Sequence, residues 1–175
     1  GFREWNAPLS QRITTREVTI LLIGAAVFHF LSSSFLGIGF YLDVMLAATV
    51  YIANYSDPSR AALLGCGFGL VQDIAGLHPL WGLNGFSKTL IGFSSYYLIR
   101  YLVVESSVGR AALLFFLSLL DVVIIYAFLL LLTPTLTDGV VVQALLKALL
   151  TALSGAALFW LLDRLRFPVK DYRHL

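Results

Sequence analysis

The chain has 175 residues, of which 59% are hydrophobic and only 13% charged, and its mean hydropathy is +0.86. Soluble domains carry about 25% charged residues, so this composition lacks the polar surface that a water-exposed domain needs, and a net charge of +2 without a basic patch gives no support to nucleic-acid binding. The single cysteine, Cys66, excludes an internal disulfide and a cysteine-based metal site.

Residues 1–17 are expected to form a cytoplasmic or interfacial segment, because Phe2, Trp5, Leu9 and Ile13 recur at near-helical spacing among Arg and Glu. A frayed tail is the alternative. The first apolar run starts near Val18 and lacks a small-residue cleavage pattern, so a cleavable signal peptide is not expected. Six apolar runs then follow: Val18 to Leu36, Ile38 to Ala53, Arg60 to Gly76, Gly85 to Val104, Arg110 to Leu132 and Val140 to Leu162. Each approaches the roughly 20 residues that a helix needs to cross about 30 Å of hydrocarbon. Helices are the expected form, since backbone groups in lipid must be satisfied within the segment. The connections hold Gly, Pro, Asn or Ser of the kind that ends helices, and none is long enough to separate a second domain. The expected fold is therefore all-α: a polytopic membrane protein with six transmembrane helices in one compact bundle over 18–162 and a basic tail over 163–175.

The basic residues set an orientation. Of twelve Lys and Arg, ten lie before the first run, beside the second and fourth gaps (Arg60 follows the second, Arg100 and Arg110 flank the fourth), or after the sixth run, and the other three gaps have none. By the positive-inside rule both termini are expected in the cytoplasm. Lys88 and Lys147 are the two exceptions, inside apolar runs.

Five ionisable residues thus fall within the expected spans: Asp43, Asp73, Lys88, Asp121 and Lys147. A charge at a helix centre costs about 2.5 to 3.5 kcal/mol on the insertion scale, so such residues face the bundle interior and pair, or line a cavity. Counting residues from the turn near Leu80 and Trp81 places Asp73 and Lys88 at one depth toward the outer face, with Asp43 also outward. Asp121 and Lys147 fall deeper. Polar stripes accompany them: Gln143, Lys147, Thr151 and Ser154 on one helix, Asn84, Lys88, Gly92 and Ser95 on another. His29 with Ser32 and Ser33 adds polarity to the first helix. Ala61, Gly65 and Gly69 recur at four-residue steps, a stripe that lets a second helix approach closely. Three roles stay open for the polar interior: fixing helix packing (the favoured one), binding a ligand or lipid headgroup, and receiving a partner's helix. The run Gly65 to Gly69 is glycine-rich but lacks a βαβ setting and is read as a packing face rather than a phosphate loop. His29, His78 and His174 are too far apart to form a metal cluster, and Cys66 has no local base, so no catalytic, cofactor or metal site is expected.

The stretch Gly65-Cys66-Gly67-Phe68-Gly69-Leu70-Val71-Gln72-Asp73, followed by Trp81-Gly82-Leu83-Asn84, resembles the signature of MreD, the rod shape-determining membrane protein family. Asp43-Val44-Met45-Leu46 and Leu120-Asp121-Val122-Val123 are weaker matches, and Leu42 departs from a proline found in many relatives. The resemblance covers most of residues 20–165. It implies a non-enzymatic scaffold of the bacterial cell-elongation machinery in the cytoplasmic (inner) membrane, acting in peptidoglycan synthesis and rod shape. Its implied partners are the bitopic MreC, and with it MreB, RodA and a class B penicillin-binding protein. It also implies a fold similar to the substrate-binding subunits of energy-coupling-factor transporters. The alternative is a transport subunit that binds a small molecule or membrane lipid in an outward-facing polar cavity.

Overall fold

The computed structural model describes residues 13–35, 42–75, 81–102, 107–132 and 140–166. The expected interfacial segment before Ile13, most of the basic tail, and the histidines His78 and His174 lie outside the described residues. Among the described residues all regular structure is helical, in six helices: α1 (Thr15–Phe35), α2 (Val44–Asn54), α3 (Pro58–Ala75), α4 (Leu83–Tyr101), α5 (Ser107–Leu132) and α6 (Val140–Arg166). Three of them, α1, α5 and α6, are long and apolar enough to cross a membrane.

Local chemistry explains the boundaries. Thr14 and Glu17 form a reciprocal cap at the start of α1: the Thr14 N–H donates to the Glu17 carboxylate at 2.6 Å, and the Glu17 N–H donates to Thr14 Oγ1 at 3.3 Å. Pro58 opens α3, where its missing N–H and preset φ cost nothing. Gly82, at φ +92°, supplies the left-handed residue that turns the chain into α4. The sixth helix runs to Arg166, so Asp163 and Arg164 belong to it and not to a tail.

The second apolar run departs most from expectation. It does not yield a helix from Ile38; α2 begins only at Val44 and holds 11 residues, about 16 Å of rise. That is half a hydrocarbon thickness. Every residue from Val44 to Ala53 is buried, because α2 is the central helix of the bundle. Around it stand the other five in the order α1, α3, α4, α5, α6, each touching the next and all touching α2. Its apolar surface, rich in small Ala47, Ala48 and Ala53, is what a helix buried along its whole length requires.

The tightest approach is between α3 and α4. A Cβ added at Gly65 would collide with the backbone carbonyl of Lys88, one at Gly69 with that of Asn84, and one at Gly92 with that of Ala61. Glycines on both helices therefore let the two backbones meet directly. Gly67, on the same helix, has open space around it. We predict that Gly69→Leu separates α3 from α4 and lowers the melting temperature of the detergent-solubilised protein by several degrees, while Gly67→Leu leaves it within experimental error; equal losses would contradict this packing.

Candidate functional site

The interior is organised by four charges from four elements. Asp43 immediately precedes α2, Lys88 lies on α4, Asp121 on α5 and Lys147 on α6. Lys88 Nζ stands 3.0 Å from Asp43 Oδ2 and 3.8 Å from Asp121 Oδ1; Lys147 Nζ stands 2.8 Å from Asp121 Oδ2 and 3.3 Å from Asp43 Oδ2. Acid and base alternate around a closed ring whose formal charges sum to zero. Relative exposures are 1% for Asp43, 0% for Lys88 and Asp121, and 8% for Lys147. At this burial an ion without partners would cost several kcal/mol, and pairing within a neutral set offsets that cost.

Neutral donors complete the ring. The Ser87 hydroxyl donates to Asp121 Oδ1 at 2.6 Å. Asp43 also caps α2, accepting from the Leu46 N–H at 2.9 Å, and its carboxylate sits at the positive end of that helix. Its own N–H donates to Thr151 Oγ1 at 3.2 Å. The non-helical backbone at Asp43 is thereby satisfied inside protein, the condition under which irregular backbone is tolerated at depth in a membrane. Gln143, one turn before Lys147, is half-buried and gives the ring no hydrogen bond.

Asp73 is not part of this ring. The shared depth expected for Asp73 and Lys88 does not bring them together as a pair, and the division into an outer set and a deeper set is replaced by one shared level for Asp43, Lys88, Asp121 and Lys147. Asp73 instead accepts from the Gly82 N–H at 3.0 Å, the Gly85 N–H at 3.2 Å, and Asn84 through both its backbone N–H at 3.3 Å and Nδ2 at 2.8 Å. The physical reason is competition. The first N–H groups of a helix have no partner within it, and the carboxylate at the end of α3 reaches those of α4 before any side chain does. Asp73 and Asn84 thus lock the connection between α3 and α4, while Lys88, one turn further along, is left to Asp43.

A second polar cluster, which the sequence reading missed, closes the opposite end. Asp163 on α6 accepts from the Tyr51 and Tyr55 hydroxyls at 3.3 and 3.1 Å and forms an ion pair with Arg110 on α5. Phe159 packs edge-on against Tyr51, with ring centroids 5.3 Å apart. Nearby, Arg60 Nη1 donates to the Ile13 carbonyl at 3.0 Å and the Ile13 N–H donates to the Tyr55 carbonyl at 3.1 Å, tying the start of α1 to α2 and α3. The four-residue step from Tyr51 to Tyr55, with Phe159 and Asp163 at the same step, was the available signal.

Chemically, each ring carboxylate is engaged by two ammonium groups, so neither is placed as a free base or nucleophile. Among the described residues no group of three or more His, Cys, Asp and Glu could hold a metal ion. What the arrangement does is fix the rotation and depth of four helices at once.

Two outcomes follow. Lys147→Met leaves two carboxylates against one ammonium and should destabilise the protein by about 3 to 5 kcal/mol; adding Asp121→Asn restores neutrality and should recover much of the loss, measured as thermal stability in detergent. No recovery in the double variant would mean that the two charges are not coupled. Asp73→Ala should cost about 1 to 3 kcal/mol by orphaning the α4 N–H groups, and exchanging the charges of Asp73 and Lys88 should rescue nothing. Comparison with known protein families, with curated proteins and with solved structures finds no match to this chain.

Proposed function

We propose that this chain is a non-enzymatic integral-membrane scaffold of the MreD kind, with six membrane-embedded helices and both termini in the cytoplasm. In this reading it sits in the bacterial inner membrane and holds the transmembrane helix and membrane-proximal region of MreC. MreB, RodA and a class B penicillin-binding protein are the further components it would serve, in peptidoglycan synthesis during elongation.

The observation that carries the proposal is the ring of Asp43, Lys88, Asp121 and Lys147: these four charges neutralise one another, which suits a rigid body whose business is with other helices. The MreD-like segments add support, because Gly69, Asp73, Gly82 and Asn84 meet in one structural knot and need one another for local reasons. The placement of Arg60, Arg100 and Arg110 toward the end that carries Asp163 agrees with a cytoplasmic face there.

The transport alternative has less behind it. It needs a polar cavity near Asp43, Asp73, Asn84 and Lys88, whereas those side chains are joined to each other or to backbone, and the large groove described below is apolar. The deciding experiment is co-expression with the MreC-like protein of the same organism and purification in mild detergent. Co-elution in a stable complex is expected, together with loss of rod shape on depletion; a protein that elutes alone and whose depletion leaves cell shape intact would end the scaffold reading.

A further inference from the structure

The ion contacts of the interior are not evenly shared among the helices. Lys88 on α4 stands 3.0 Å from Asp43 at the head of α2 but 3.8 Å from Asp121 on α5. Lys147 on α6 stands 2.8 Å from Asp121 but 3.3 Å from Asp43. Asp163 repeats the pattern at the opposite end. Its cation, Arg110, lies with it in the α5–α6 hairpin, whereas neutral hydroxyls of Tyr51 and Tyr55 reach it from α2. Each of these six ions thus has its nearest counter-ion on its own side of one dividing line, with α1–α4 on one side and α5–α6 on the other.

Helix contacts follow the same line. The glycines of α3 and α4 bring those two backbones together, and α2 packs against both. Among the described residues α5 meets α4 and α2, α6 meets α2, and no Cα of either comes within 8 Å of a Cα of α1 or α3. Where α6 crosses α2, a Cβ added at Gly155 would stand 3.1 Å from that of Ala47, so small groups with little to interlock face one another. On the open side a mostly apolar groove of about 720 Å³ lies between α1 and α6, floored by α2.

We infer that the bundle consists of two rigid units, α1–α4 and the α5–α6 hairpin, and that the ring is a latch between them with a joined and a parted state. The structure shows the joined state, in which the ring fixes all four helices. Parting gives up the longer ion contacts and a set of neutral hydrogen bonds: Ser87 to Asp121, the Asp43 N–H to Thr151, and the two tyrosines to Asp163. It leaves every one of the six ions with its counter-ion, so the several kcal/mol that an unpaired buried charge costs are not incurred. Other divisions would incur them. Separating α1–α3 from α4–α6 tears Asp43 from Lys88, and releasing α6 alone tears Lys147 from Asp121 and Asp163 from Arg110. The division is a property of the bundle and holds whichever partner the protein serves.

The sixth helix couples the two ends of the latch. It carries Lys147 and Thr151 at the ring and Asp163 at the other end; Lys147 and Asp163 are 16 residues apart, about 24 Å along the helix. A stiff helix that slides on α2 moves at both places, so the ring contacts across the line and the tyrosine contacts of Asp163 are made and broken together.

Spin labels test this on the full chain in a Cys66→Ala background, at exposed positions. Ile74→Cys with Leu131→Cys spans the two units, at the end away from Asp163. Ile74→Cys with Leu31→Cys lies within α1–α4, and Leu131→Cys with Leu153→Cys within the hairpin. Pulsed electron–electron distance measurements compare the labelled parent protein, Tyr51→Phe/Tyr55→Phe and Ser87→Ala, each of which leaves all six ions paired. Expected is a second distance population for the spanning pair, whose share rises at least about threefold in both variants as hydrogen bonds across the line are lost, while both pairs within a unit stay unchanged. A single, unchanged distance for the spanning pair in all three proteins would overturn the latch. Broadening of all three pairs together would overturn the division into two units. A rise in Ser87→Ala without one in the tyrosine variant would overturn coupling through α6. If the tyrosine variant fails to accumulate, Ser87→Ala decides between one unit and two by the same readout.

Discussion

Electroneutrality at depth is the constraint from which the rest of this structure follows. Asp43, Lys88, Asp121 and Lys147 cannot be buried singly, so four elements must deliver them to one level. That requirement rotates α4, α5 and α6 so that these faces point inward. It also explains why α2 starts where it does, since Asp43 serves two demands at once: it neutralises two ammonium groups and caps the helix that begins beside them. A longer α2 would move that carboxylate out of helix-cap geometry and away from its partners.

Either side of this level, polar groups hold the bundle by different means. On one side, Asp73 gathers backbone N–H groups at the start of α4, and the glycines of α3 bring the two helices close enough for it to do so. On the other, Asp163 gathers hydroxyls and a guanidinium from α2 and α5. Between lipid-like surfaces, where burying apolar area gives little net drive for helices to associate, these contacts and the glycine-mediated approach carry the specificity of the fold.

Much of this was legible in the residues, and the misses have physical causes. Lys88 and Lys147 stood out as charges inside apolar runs, and the stripes they head are indeed inward faces: Asn84, Lys88, Gly92 and Ser95 are all buried, as are Lys147 and Thr151. The choice of partners was not legible. Helix direction assigns a depth, whereas pairing depends on rotation and on which helices are neighbours, and that information is spread over the whole chain. Asp73 shows the point: it shares a turn with Lys88 but is claimed by unsatisfied backbone. The start of α2 was obscured by apolar residues that run on continuously from Ile38, although an Asp just ahead of Val44 is itself an N-cap signal. Likewise Thr14 and Glu17 announce the beginning of α1. Arg60 and Arg110 were read only as markers of sidedness, yet each holds a specific partner.

The order of the four ring residues along the chain has a consequence for biosynthesis. They appear as Asp43, Lys88, Asp121 and Lys147, acid and base in strict alternation. As the chain emerges from the ribosome, the running charge of the ring is therefore −1, 0, −1 and 0, and never departs from neutrality by more than one unit. Had both acids come first, a nascent intermediate would carry two uncompensated carboxylates through an apolar environment. Alternation leaves the ring already balanced once α1 to α4 are made, and the hairpin of α5 and α6 arrives as a second self-neutral contribution to it.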